Sequence, residues 1–108
     1  LKVVVATNDS GGIGGYQALV NAGYTGSDPV AVFSGDATDE ALNDMLQDDT
    51  IYRGTVDLAP YACGYESAYQ LVYYCINGKP AETKTQGFTP VMVPLADLLD
   101  GTYAYDPK

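Results

Sequence analysis

The sequence predicts an α/β domain built on an open, mainly parallel sheet with flanking helices. Two observations predict it. Short apolar, Val-rich runs alternate with segments of helical periodicity in the order β-α-β-α-β-α-β, and the connections between them are short. That alternation implies parallel strands joined by right-handed crossovers. The 108 residues are 46 % hydrophobic and 18 % charged. A chain of this size buries roughly two thirds of its unfolded surface, so it forms a core, though not a generous one.

The elements follow in chain order. Leu1 to Thr7 is a nearly unbroken apolar run, which reads as a strand buried on both faces. Asn8 to Gly12 reads as a turn cluster. Ile13, Tyr16, Leu19 and Val20 then form a helical stripe, and Gly23 stops it. Pro29 to Ser34 is the second strand. Thr38 is the expected N-cap of the second helix, with Asp39 and Glu40 in the first turn, where the helix dipole favours acids. Ala41, Leu42, Met45 and Leu46 supply its buried face. Ile51 to Asp57 is the third strand, closed by Ala59-Pro60. The third helix is expected from about Tyr61 to Asn77, with Tyr65, Ala68, Tyr69, Val72 and Ile76 on one face. Lys79 to Gln86 is a polar linker. The last strand, about Phe88 to Leu95, carries Pro90 and Pro94, which confine it to a sheet edge or a crossing segment.

Charge and absences narrow the chemistry. Five basic against fourteen acidic residues leave a net charge of −9. With no basic patch, nucleic acid and anionic membrane are poor partners. The absence of His removes every His-based triad or dyad and the commonest metal ligand. Two cysteines without a histidine cannot complete a zinc site. No apolar run approaches the ~20 residues that span a bilayer. The chain opens on Leu1-Lys2-Val3 with no initiator Met and no visible signal peptide, so a processed or truncated piece of a longer protein is expected.

Several motifs fail. Gly11-Gly12-Ile13-Gly14-Gly15 occupies the place of a dinucleotide fingerprint, but counting from Gly12 the sixth position is Gln17. There is no Walker A loop and no nucleophile elbow. Cys63 and Cys75 lie on one expected helix, about 18 Å apart at the usual rise per residue, too far for a disulfide. They read as two small buried residues. The six acids from Asp36 to Asp49 do not fit a calcium loop and read as a solvated helix face. The ten tyrosines read mostly as helix faces and core filler, with a sugar-stacking surface as the other reading.

One constellation survives. In open parallel sheets, ligands bind beyond the carboxyl ends of the strands. Asn8 and Asp9 follow the first strand, Asp36 follows the second, and Asp57 ends the third. Carboxylates accept hydrogen bonds from adjacent hydroxyls, and an Asn amide both donates and accepts, so such a rim suits a neutral polyol. The same residues also read as turn and helix-cap positions.

A resemblance adds to this. Ala6-Thr7-Asn8-Asp9-Ser10, Gly15-Tyr16-Gln17-Ala18-Leu19 and Ala22-Gly23-Tyr24 resemble the "NDxxAxGAxxAL…AG" stretch of ribose/galactose-type periplasmic sugar-binding proteins of ABC transporters. Pro29 to Ala37 resembles their "vpVvGfDa" strand, and Asp39-Glu40-Ala41-Leu42 their "peAl" helix start. Arg53-Gly54-Thr55-Val56 resembles "aaTV", and Thr89 to Pro94 the closing "vPv" strand. The likeness runs through essentially the whole chain in the right order. It implies a periplasmic-binding-protein type 1 lobe, flavodoxin-like and incomplete as a fragment. Residues 1–58 would belong to the C-terminal ligand-binding lobe, 59–93 would cross to the N-terminal lobe, and 94–108 would return. Asn8 and Asp36 match two ligand-contacting positions of the family. A third, usually Asn or Gln, aligns with Leu58, so Asp57 is expected to take over through a local shift.

The resemblance therefore implies an extracytoplasmic solute-binding component, periplasmic or lipid-anchored. It would bind a sugar or sugar-like molecule by hinge closure and hand it to a permease, with no catalysis and no cofactor. The rest of the two-lobed polypeptide is an expected partner. Alone, the fragment is expected to self-associate or repack into one sheet. Two other readings stand beside it. One is the effector-binding domain of a lactose-repressor-type transcription repressor, which shares the fold. The net charge and the closing "vPv" stretch favour transport over it. The other is a small enzyme or nucleotide-binding α/β domain using Asp9 and Asp36 as a metal pair.

Overall fold

A computed structural model describes residues 2–81 and 89–104. It comprises two compact units, Leu1–Asp57 with Val91–Lys108, and Leu58–Pro90. Phe88 and residues 82–86 of the polar linker lie outside the described residues.

The first unit is an α/β layer structure. Strands β1 (Lys2–Val5), β2 (Val30–Phe33), β3 (Tyr52–Asp57) and β4 (Val91–Pro94) form an open sheet in the order β1-β2-β3-β4. β1, β2 and β3 run parallel and β4 runs antiparallel to β3. The sheet is thus mainly parallel, and flanking helices complete the α/β class expected of the sequence. Pro94 is tolerated because β4 is an edge strand.

Helix α1 (Asp9–Asn21) connects β1 to β2, and α2 (Asp39–Met45) connects β2 to β3. Tyr16 of α1 and Leu42 and Met45 of α2 meet Val30, Val32, Tyr52 and Val93 in the core. Helix α4 (Leu95–Leu99), not expected from the sequence, follows β4 directly and adds Leu98 to that core.

Three expectations are corrected here. β1 is not buried on both faces: it is an edge strand, with Val3 48 % and Val5 77 % exposed. The Asn8 to Gly12 cluster is not a free turn. Asn8, in extended conformation, caps α1 by accepting a hydrogen bond from Gly11 N at 2.9 Å, so the helix starts at Asp9. Glycine-rich sequence disguised a capped helix start.

The second unit contains α3 (Pro60–Asn77), and none of its residues is buried. The third correction concerns this helix. Tyr65, Tyr69, Val72 and Ile76 of its apolar face are exposed. Its two cysteines, expected to be buried, are not: Cys63 is half-buried, Cys75 is exposed, and both are free thiols. Pro60 opens the helix, where its missing N–H costs nothing.

β2 and β3 lose register between Val32 and Phe33. Val32 N bonds to Ile51 O, but Ser34 N bonds to Gly54 O. Three residues of β3 therefore answer two of β2, and Arg53 is the extra one, a β-bulge. Gly54 then leaves room for the Phe33 ring, which a Cβ there would meet at 3.1 Å.

Gly12 is where α1 comes closest to the sheet. A Cβ on it would stand 2.6 Å from the Tyr52 hydroxyl and 2.7 Å from Ser34 Cβ, whereas one on Gly14 meets nothing within 4 Å. Gly12→Ala is therefore expected to destabilise the fold by about 1–3 kcal/mol through overpacking. Gly14→Ala is expected to stabilise it by about 0.5–1 kcal/mol through helix propensity. Urea unfolding of the two variants checks the opposite signs.

Candidate functional site

The sheet register assembles the rim. Val5, Phe33 and Gly54 stand abreast across β1, β2 and β3. Asn8, Asp36 and Asp57 each follow three positions later, so all three reach the same carboxyl edge. Backbone bonds continue the alignment past the strands: Ala6 N to Phe33 O at 2.9 Å and Asp36 N to Val56 O at 2.8 Å.

Asp9 is the buried centre beneath this edge, 1 % exposed. Its carboxylate only accepts, and it takes four donors. Oδ1 accepts from Ser34 Oγ and from Thr55 Oγ1, the latter at 2.7 Å. Oδ2 accepts from Thr38 N at 2.6 Å and Thr38 Oγ1 at 2.8 Å. Ser34 has one hydroxyl proton and gives it to Asp9, so the Tyr52 hydroxyl bonded to Ser34 Oγ is the donor of that pair. Burial is the main reason the Tyr52 hydroxyl is pushed up to about 12, with the Asp9 charge adding to it. It remains a proton donor throughout the neutral range. Asp9 thus turns inward, and its oxygens are committed to the protein rather than to a solute.

The loop above Asp9 is strained. Asp36 has φ 120° and Ala37 φ 52°, a region that glycine occupies readily and other residues only at a cost of about 1–3 kcal/mol each. It is held there by three consecutive amides: Asp36 N on Val56 O, Ala37 N on Thr55 Oγ1 at 3.2 Å, and Thr38 N on Asp9. Thr38 also caps α2, as expected from the sequence, its side chain accepting from Ala41 N.

The expected site residues therefore separate. Asn8 is exposed; its Oδ1 is used by the helix cap, and its amide N–H groups have no hydrogen-bond partner among the described residues. The half-buried Asp36 carboxylate likewise has no donor among the described residues. Asp57 accepts a hydrogen bond from the Tyr103 hydroxyl at 2.9 Å. Burial, aided by this bond and the carboxylate charge, raises the Tyr103 hydroxyl to about 12. Leu58 opens the second unit and is 43 % exposed.

Ser34, Tyr52, Thr55 and Tyr103 were not singled out from the sequence. Tyr52 and Thr55 are three apart in β3 and share a partner set only because the bulge at Arg53 resets the alternation. No sequence pattern announces that bulge. Among the described residues no cluster of three or more His, Cys, Asp and Glu is arranged to hold a metal ion. No protein-family model and no curated protein matches the chain.

Asp9→Asn removes the charge and turns an amide NH₂ toward donors. We expect it to lower stability by about 3 kcal/mol, the scale of losing charge-assisted hydrogen bonds in a buried site. Chemical denaturation followed by circular dichroism checks this; a change below about 0.5 kcal/mol, the scatter of ordinary surface substitutions, would contradict the assignment.

Proposed function

We propose that this chain is part of an extracytoplasmic solute-binding component of an ABC transporter, and that it contacts a sugar or sugar-like molecule at the rim of Asn8, Asp36 and Asp57. The observation that carries the reading is the three-strand register, which brings a half-satisfied Asn and an unpartnered Asp to one carboxyl edge. Asn8 keeps two N–H donors for a solute, and Asp36 offers two acceptor oxygens. Adjacent hydroxyls on a pyranose or furanose ring match that pairing, because each hydroxyl both donates and accepts. The strain at Asp36 supports a functional role, since strained backbone persists where geometry matters more than stability.

The ordered likeness to sugar-binding proteins supports the same reading along the whole chain. In that reading residues 1–58 and 94–108 belong to one ligand lobe, and 59–93 cross to the other. Binding closes the lobes about a hinge, and the closed form is handed to a permease. No catalytic step is involved.

The test is amide chemical-shift mapping of the full chain with a panel of pentoses and hexoses. Ribose-like or galactose-like sugars are expected to move the Asn8, Asp36, Ala37 and Asp57 amides, and Asp36→Asn is expected to weaken the response at least tenfold. Shifts confined to other surfaces, or none with any sugar, would overturn the reading.

A further inference from the structure

A concave site lies at the opposite, amino-terminal end of β2 and β3. It is a cavity of about 300 Å³, at the lower end of small-molecule pockets. Its apolar wall comes from Leu46 at the end of α2 and from Leu95 and Leu99 of α4. Leu99 is exposed.

The polar wall is built around Gly26. Arg53, the bulge residue, donates from Nη2 to Gly26 O at 3.0 Å. Among the described residues this is the guanidinium's one hydrogen bond, so most of its five N–H donors are uncommitted. Asp49 lies on the same glycine: Gly26 N bonds to Asp49 O at 2.8 Å, and a Cβ on Gly26 would meet Asp49 Oδ1 at 2.7 Å. Asp49 holds a left-handed backbone, φ 56°. Among the described residues neither charged group is ion-paired. A cation and an anion thus stand near one another, unpaired, beside an apolar wall. Bulges commonly re-aim a side chain in this way.

We propose that this cavity binds a small apolar amino acid or a molecule of that class, its carboxylate on Arg53, its ammonium group on Asp49 and its side chain against Leu46, Leu95 and Leu99. Each wall matches one part of such a zwitterion. A simple anion leaves Asp49 unanswered and is repelled by it, and a simple amine leaves Arg53 unanswered. The planar guanidinium fork suits a carboxylate held through two parallel bonds. The site is separate from the Asn8–Asp36 rim and does not depend on the sugar reading.

The experiment compares L-norleucine with its two truncations, hexanoate and pentylamine, on the full chain by amide chemical-shift titration. Norleucine is expected to bind at least tenfold tighter than either and to move the Gly26, Asp49 and Arg53 amides. Arg53→Gln is expected to weaken norleucine at least tenfold. Asp49→Asn, which tolerates the left-handed backbone, is expected to bring norleucine down to the level of hexanoate. Equal affinity for the three probes, no binding, or shifts away from these residues would overturn the proposal. If Arg53→Gln fails to fold, the comparison of the three probes on the unaltered chain decides alone.

Discussion

The Asp9 carboxylate sits where three parallel strands end and two helices begin, and its hydrogen bonds tie the start of α1 to β2, β3 and the cap of α2. Ser34 follows β2, Thr55 lies in β3, and Thr38 caps α2, while Asp9 itself opens α1. A carboxylate removed from water needs full compensation, because an unpaired buried charge is far more costly than any one bond is stabilising. Four donors on two oxygens supply it. The position of the α1 N-terminus adds the favourable end of the helix dipole.

Other features of the first unit follow from this arrangement. Thr55 reaches Asp9 because the bulge at Arg53 turns it to the helix-covered face. Gly12 is free of a side chain because Ser34, which bonds to Asp9, and Tyr52, which bonds to Ser34, occupy that space. Asp36 and Ala37 stay in the left half of conformational space because their neighbours are bonded on both sides. The rim is therefore preorganised from below. Asn8 and Asp36 are presented by a rigid base, not by a free loop, and preorganised polar groups spend less of a ligand's binding energy on ordering.

Much of this fold is legible in the sequence because it rests on local patterns. The apolar runs, the helical stripe of Ile13, Tyr16, Leu19 and Val20, and the Thr38 cap each act within a few residues. Asn8 and Asp36 as strand-end residues were legible for the same reason. What was hidden is non-local. The inward turn of Asp9 depends on donors 25 to 46 positions away. The bulge is a property of two strands together, and neither sequence alone encodes it. Exposure of Val3, Val5 and the α3 face depends on what packs against them. An apolar run looks the same in an edge strand and a central one. Helix α4 is five residues long, too short for periodicity to reveal it.

The two ends of the sheet carry different chemistry: hydrogen-bond donors and acceptors at the carboxyl edge, separated charges and an apolar wall at the amino edge. Asp9 holds the strained loop at the first of these. Native-state hydrogen exchange at the Thr38 amide tests it most directly. Thr38 is an exposed residue outside any strand, so without its bond to Asp9 its amide would exchange as freely as a surface loop. With that bond in place, its protection is expected to be comparable to that of Val32 in the buried central strand. Exchange at the rate of an open loop would contradict it.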